Sequence, residues 1–424
     1  MIWLRAKSGR IQPTLDSIRH TFSQQQRRVD AQQDIQSQKI NWKSVGCAIS
    51  LVVFTVLLLG SVIGIPVVLT QLKKNPYCPK PSFPIKFPTS TASPKTTNSQ
   101  RALASKRLCT ARASWSSKGI TVAGLSNNLP STALSGLHHP SDIYVYANGT
   151  LLIADTDNNR IVKWNQNAKE GVLIAGTGSY GSWNNLLAKP TALTVYHDHL
   201  YVSDSDNYRI QVFTLNSNST SPRAVTLIGR YGQGSQSNQI NEVKSLAATA
   251  SLLLMADSNN DRILSWNFES NFFDIVFENK NMLKSNSTAL HHPSGLAYDP
   301  KTSSLYVADT LHSRIQKYSI NNKNVSNTVA GWGELNRPTA VQLDPSGTNM
   351  FIVDTFNHRV LLWLDGSRHG RTIIGNGTAG NGDEQLNSPS QIRFDADYNL
   401  YVVDTNNCRV QRFDLISNGC EKYM

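Results

Sequence analysis

The sequence predicts an all-β protein built around one six-bladed β-propeller, closed by an N-terminal strand and preceded by a transmembrane helix and a Pro/Ser/Thr-rich stalk. Three observations carry that prediction. One segment occurs six times: LLIADTDNNRIVKW (151–164), LYVSDSDNYRIQVF (200–213), LLMADSNNDRILSW (253–266), LYVADTLHSRIQKY (305–318), MFIVDTFNHRVLLW (350–363) and LYVVDTNNCRVQRF (400–413). An Asp precedes an Arg by five positions in each copy, and successive Arg residues lie 49, 53, 52, 45 and 50 apart, a period of propeller blades. The sixth copy meets the end of the chain at Tyr423–Met424 without a fourth strand, while a spare strand, GITVAG (119–124), stands ahead of the first blade.

In chain order, residues 1–44 are rich in Gln and Arg with few apolar residues and read as a short cytoplasmic tail. Residues 45–72 contain no charge and are overwhelmingly apolar. A bilayer core takes about 20 such residues as a helix, whereas a signal-peptide core runs about 7–15 residues near the start. The segment therefore reads as a single membrane span. Lysines and arginines flank it equally, with Arg27, Arg28, Lys39 and Lys43 before it and Lys73, Lys74, Lys80 and Lys86 after it. Composition orients it instead. The linker 73–118 holds a stretch, 76–100, with six Pro and eight Ser/Thr, a stalk that forms no packed core. Cys78, Cys109, Cys408 and Cys420 lie beyond the span, an even number suited to disulfides. The propeller, 119–424, is thus expected outside the cell or in a lumen. Five Asn-x-Ser/Thr sequons at Asn148, Asn218, Asn286, Asn324 and Asn376 are compatible with that side and are candidate glycosylation sites.

Charge points the same way. Residues 1–118 hold 18 Lys/Arg against 3 Asp/Glu, and residues 119–424 hold 23 against 26. The net +12 of the chain sits ahead of the propeller, so bulk charge gives the propeller no nucleic-acid-binding character.

Each copy parses as a strand ending in Asp, an Asn-rich turn, and a strand beginning at Arg. A third strand lies upstream, entered by Leu-x-x-Pro at LHHPSDI (137–143), LAKPTAL (187–193), LHHPSGL (290–296), LNRPTAV (335–341) and LNSPSQI (386–392), with Val243 in the Pro place of INEVKSL (240–246). A fourth strand follows the first five copies, at 171–176, 224–229, 273–278, 327–331 and 371–375. The spare strand 119–124 then completes blade six and removes the open edges. Cys109 and Cys420 flank this closure and are predicted to form a disulfide; Cys408 and Cys420 bracket a strand and are too far apart to pair.

The repeats resemble NHL repeats over about residues 119–416; the fifth copy carries Asn357-His358-Arg359 in the family's Asp-x-x-Asn-His-Arg-Val form. The fourth copy departs with Leu311-His312, and the third has Asp261 where His often stands. Gly-His/Trp-Asp and double-Gly signatures of other propellers are absent. The resemblance implies a propeller whose relatives include a zinc-dependent lyase of peptide amidation and cytoplasmic RNA binders with RING or B-box modules. This sequence contains neither module.

Function is expected at the channel rim. The pairs Asp155 with Arg160, Asp204 with Arg209, Asp257 with Arg262, Asp309 with Arg314, Asp354 with Arg359 and Asp404 with Arg409 recur around the ring. They therefore read as structural, and no catalytic residue is assigned. His358 reads as a lone surface histidine without counterparts in the other turns. The residue before the Pro place varies from copy to copy: His139, Lys189, Glu242, His292, Arg337 and Ser388. That mostly basic ring is the candidate site for an anionic group. His138-His139 and His291-His292, on opposite blades, share a metal only if the channel is narrow. No phosphate loop, Cys-x-x-Cys, nucleophile elbow or His-Glu-x-x-His motif is present. The leading expectation is a non-enzymatic, membrane-anchored module binding a protein, peptide or glycan, with no cofactor and no nucleic acid; the alternatives are a metal-dependent lyase- or hydrolase-like enzyme and an RNA-binding propeller.

Overall fold

The computed structural model describes residues 108–215, 224–236, 238–278, 289–322 and 326–420. They form six four-stranded antiparallel sheets and one short two-stranded ribbon. The predicted tail, membrane span and most of the stalk lie outside the described residues, as do Asn218, Asn286 and Asn324. Among the described residues no helix is long and apolar enough to cross a membrane.

Blade one shows the plan. Its strands are Asp142–Val145, Leu151–Asp155, Arg160–Trp164 and Val172–Gly176, paired in that order. The inner strands of the other blades are Pro190–Tyr196, Val243–Ala248, Pro293–Asp299, Ala340–Leu343 and Pro389–Phe394. Each touches the next, and the sixth returns to the first, so the six line a closed channel. Apolar residues occupy both faces of the middle strands because each sheet is packed on both sides. The buried hydrophobics fall into six clusters, one per interface: Tyr401, Val403 and Val410 of blade six, for example, pack with Ile143, Ile153 and Trp164 of blade one. Gly295 marks a close approach of this kind, since a Cβ there would lie 2.6 Å from Ala340 Cα in the neighbouring inner strand.

Closure uses the N-terminal strand. Ile120–Ala123 pairs with Arg409–Phe413 as the outermost strand of blade six. Outside it, Ser114–Trp115 pairs with Leu415–Ser417, and Cys109 is disulfide-bonded to Cys420 with Cα atoms 5.1 Å apart. Cys408 is a free, buried thiol.

The recurring Asp–Arg pair fastens each blade to the connection that enters it. Arg160 Nε donates to Asp155 Oδ2 at 2.7 Å, while its Nη1 and Nη2 donate to the carbonyls of Thr132 (2.7 Å) and Ala133 (2.8 Å). Asp155 Oδ1 accepts from the His138 N–H at 2.7 Å, and Asn158 Nδ2 donates to Oδ2 at 2.9 Å. Burial pushes the Asp155 carboxyl upward, and the Asn158, His138 and Arg160 donors pull it back.

The other blades repeat the arrangement. Arg209 Nε donates to Asp204 Oδ2 at 2.6 Å, with Nη1 on the Ser182 carbonyl (2.7 Å) and Nη2 on that of Trp183 (3.1 Å). Arg314 Nε donates to Asp309 Oδ2 at 2.8 Å and its Nη2 to the Ala289 carbonyl at 2.6 Å. Arg262, Arg359 and Arg409 make the same Nε bond to Asp257, Asp354 and Asp404. Arg209 and Arg314 are thus committed to the blade frame and not to the channel mouth. Asn207, Asn260, Asn357 and Asn407 repeat the Asn contact. In blade four His312 replaces Asn, with Nδ1 2.9 Å from Asp309 Oδ2, so a different side chain fills the same donor place.

A second fastening runs around the channel. The hydroxyl residue after each Asp sits in a 3-10 turn, and five of these six hydroxyls donate to the next blade's Pro carbonyl. Thr156 reaches Pro190 (2.8 Å), Ser258 reaches Pro293, Thr310 reaches Pro338 (2.8 Å), Thr355 reaches Pro389 (2.9 Å), and Thr405 crosses the closure to Pro140 (2.9 Å). Between blades two and three Val243 has replaced Pro, and its carbonyl accepts from Thr191 and Ser203 instead.

Candidate functional site

One mouth of the channel is built by the loops that the sequence singled out. Each 3-10 turn ends in a left-handed residue: Asn159, Tyr208, Asp261, Ser313, His358 or Cys408, with φ between 49° and 52°. In most blades its side chain reaches the rim of the following blade. The N–H groups of Lys189, His292, Arg337 and Ser388 donate to Asn159 Oδ1 (3.0 Å), Asp261 Oδ1 (2.7 Å), Ser313 Oγ (3.2 Å) and His358 Nδ1 (3.0 Å). His358 is therefore no lone surface histidine. It occupies a position with counterparts in every blade, and its Nδ1 acts as an acceptor.

The six rim residues share a backbone state as well. His139, Lys189, Glu242, His292, Arg337 and Ser388 have φ of 42°, 48°, 61°, 57°, 50° and 50°. None is Gly, so each carries the strain of a left-handed L-residue. Their side chains do not form one site. His292 and Arg337 line a cavity of about 410 Å³ at the mouth, whose floor is Ser141, Thr191, Lys244, Ser294, Thr339 and Ser390. Each of these stands immediately after the Pro place. The residue before Pro, which the sequence singles out, is two positions short of the floor; Ser or Thr in five of six copies was the available signal.

A second set was also missed. Two residues after each repeat Asp stand Asp157, Asp206, Asn259, Leu311, Phe356 and Asn406, whose N–H groups bond to the loop carrying the rim residue. They stand beside the rim and vary around the ring; on blades one and five they touch the rim side chain itself. Arg337 lies over the Phe356 ring at 5.0 Å, and exposed Leu311 and Phe356 wall one side of the cavity. Lys244 is ion-paired with Glu242. Burial pushes His292 downward, which favours its neutral form.

On blade one, His139 Nδ1 lies 2.6 Å from Asp157 Oδ2 and His138 Nε2 lies 3.7 Å from the same oxygen. The structure does not bring the two His-His pairs within ligand distance of one another. Among the described residues, the single group of three metal-capable side chains is His138, His139 and Asp157, all from blade one.

The floor hydroxyls are spoken for. Ser141 donates to the Thr191 carbonyl (2.9 Å), Thr191 to Val243 (2.8 Å), Thr339 to Ser390 (2.9 Å) and Ser390 to Ser141 (2.8 Å). Among the described residues none of the floor hydroxyls bonds to an imidazole or carboxylate, so none has the base that an activated nucleophile requires.

The other mouth is wider, about 620 Å³, and is lined by Tyr144, Tyr298, Gln342 and Arg393 among others. Asp142 is buried beside it and accepts from the Ile143 (2.8 Å) and Leu193 (2.9 Å) N–H groups, with Arg393 3.6 Å away.

No protein-family model and no curated protein matches the chain. Solved structures do. A Bacteroides thetaiotaomicron protein of unknown function is 17% identical at a TM-score of 0.52, covering 70% of this chain and 76% of its own. A Xanthomonas campestris gluconolactonase is 13% identical at a TM-score of 0.49, covering 72% and 97%. A streptogramin B lyase is 12% identical at 0.43, covering 64% and 78%. At such identities the likeness concerns the fold, a β-propeller.

Proposed function

We propose that the chain is a membrane-anchored propeller of NHL type whose 410 Å³ mouth binds an anionic group of a peptide or glycan outside the cell. The observation that carries the reading is the composition of that cavity. Arg337 is held over an aromatic face, Leu311 and Phe356 offer apolar contact, and the one rim carboxylate, Glu242, is neutralised by Lys244. A carboxylate or sulfate on a carbon framework meets both halves of such a cavity. The uncharged segment 45–72, the Pro/Ser/Thr stalk and the disulfide support the anchored, extracellular arrangement.

The test is binding of the full chain in detergent to arrayed peptides and glycans, acidic and neutral. Arg337→Ala is expected to weaken acidic ligands at least about tenfold, the loss of one charge-assisted hydrogen bond. Lys189→Ala should weaken them less, because Lys189 lies outside the cavity. Acidic ligands bound equally well by Arg337→Ala would overturn the reading.

A second reading, a metal-dependent lyase- or hydrolase-like enzyme, is favoured by the His138–His139–Asp157 trio. Chelator-sensitive conversion of an arrayed ligand would select it.

A further inference from the structure

We propose that His138, His139 and Asp157 form a zinc-class metal site on the rim of blade one. The inference rests on neither reading of the mouth.

The geometry is close to what such a site requires. The three donor atoms lie within 4.8 Å of one another, with the carboxylate oxygen 2.6 Å from His139 Nδ1 and 3.7 Å from His138 Nε2. In a tetrahedral site with bonds of about 2.0–2.1 Å, donor atoms are about 3.3 Å apart. One edge must open by about 0.7 Å and another close by about 0.4 Å, adjustments within reach of small χ rotations. The side chains are 34%, 45% and 28% exposed, so an ion has access and a fourth position stays open for water or a ligand atom.

The backbone beneath them is fixed. The Asp157 N–H donates to the His138 carbonyl at 3.2 Å, the His138 N–H donates to Asp155 Oδ1 at 2.7 Å, and His139 is held left-handed ahead of Pro140. The donor set selects the ion class. Two imidazoles with one carboxylate suit Zn²⁺ and its later first-row neighbours, whereas Ca²⁺ and Mg²⁺ take oxygen shells.

The repeat itself supplies the comparison. Blade four carries the same histidine pair, His291-His292, but Leu311 stands where blade one has Asp157. The other blades place Ala188-Lys189-Asp206, Asn241-Glu242-Asn259, Asn336-Arg337-Phe356 and Asn387-Ser388-Asn406 at these positions. Among the described residues only blade one brings two imidazoles and a carboxylate within 4.8 Å of one another at their donor atoms, so the trio is not a requirement of the fold.

The experiment is a Zn²⁺ titration of the full chain, purified without a histidine tag, against a chromophoric chelator, with thermal unfolding of each variant followed with and without zinc. Wild-type chain is expected to bind one more equivalent than His138→Ala or Asp157→Asn. Zinc should raise the unfolding temperature of the wild type more than that of either variant. His291→Ala should match the wild type in both readouts. The variants replace half-exposed groups, and their zinc-free unfolding temperatures report directly that they fold. Equal zinc binding by wild type and Asp157→Asn would overturn the proposal, as would equal loss in His291→Ala.

Discussion

Arg262 and Arg359 occupy the same place in the repeat, and their surroundings predict unequal losses on truncation. Arg262 is 1% exposed; its Nε donates to Asp257 at 2.7 Å, and Nη1 and Nη2 donate to the carbonyls of Ser235 (2.6 Å), Gln236 (3.0 Å) and Gln239 (2.9 Å). Arg262→Ala strands a fully buried carboxylate and frees the loop entering blade three, which costs about 3–5 kcal/mol. Arg359 is 22% exposed, donates to Asp354 at 2.9 Å, and otherwise makes a 3.3 Å bond to the Glu334 carbonyl, a 3.5 Å contact with the Thr372 hydroxyl and a 3.9 Å ion pair with the Glu334 side chain. Asp354 is as buried as Asp257, but the open side of the Arg359 guanidinium lets water take its place on that carboxylate, so Arg359→Ala should cost less, about 1–2 kcal/mol. Urea unfolding followed by tryptophan fluorescence separates the two. With a slope of about 3 kcal/mol per molar, the midpoint should fall by about 1–1.7 M for Arg262→Ala and about 0.3–0.7 M for Arg359→Ala. Asp257→Asn added to Arg262→Ala should recover part of the loss, since the stranded charge disappears. Equal shifts for the two single variants would refute the reasoning, as would a shift below about 0.3 M for Arg262→Ala.

Two further outcomes follow from closure and burial. The Cys109–Cys420 bond spans 311 residues, for which the loop-entropy expression gives a ceiling of about 5–6 kcal/mol. Cys420→Ser should lower the unfolding midpoint and abolish its sensitivity to reductant; an unchanged midpoint would show that the Ile120–Ala123 pairing closes the ring alone. Burial raises the Tyr201 phenol from its ordinary 10.0 to about 12. The neutral ring's contribution is therefore whole below pH 10 and is lost as pH rises toward 12, by up to about 2.7 kcal/mol. Tyr201→Phe should flatten that alkaline decline in unfolding free energy, and equal declines in both proteins would exclude the assignment.

The fold was legible because propeller blades repeat, and each copy is a check on the others. Six equal Asp–Arg spacings exposed the blade, and GITVAG ahead of the first Leu-x-x-Pro exposed the closing strand. Contacts between blades were harder to read, because their partners lie about one blade apart in sequence. The Thr405 hydroxyl on the Pro140 carbonyl, 265 positions away, has no local signature beyond a Ser or Thr after every Asp. His358 was misread for the same reason. Its partner, the Ser388 N–H, belongs to the next blade, and its counterparts are Asn159, Tyr208, Asp261, Ser313 and Cys408, which share no chemistry visible in sequence.

This arrangement also explains why the rim can vary. A left-handed L-residue costs roughly 1–2 kcal/mol, and all six rim residues are in that state. At Lys189, His292, Arg337 and Ser388 the N–H is bonded to the preceding blade's turn, so the main chain is held by its neighbour and not by its own side chain. A rim side chain can then change without releasing the loop. The residue two places after each Asp is fixed in the same way, through its N–H to the adjoining loop. Each blade thus presents a pair of side chains on a backbone that is indifferent to their identity: imidazole with carboxylate on blade one, guanidinium with aromatic ring on blade five. Repeated hardware and variable chemistry therefore occupy different atoms of the same repeat. In such a scaffold, the positions where the copies disagree are the ones to test for ligands.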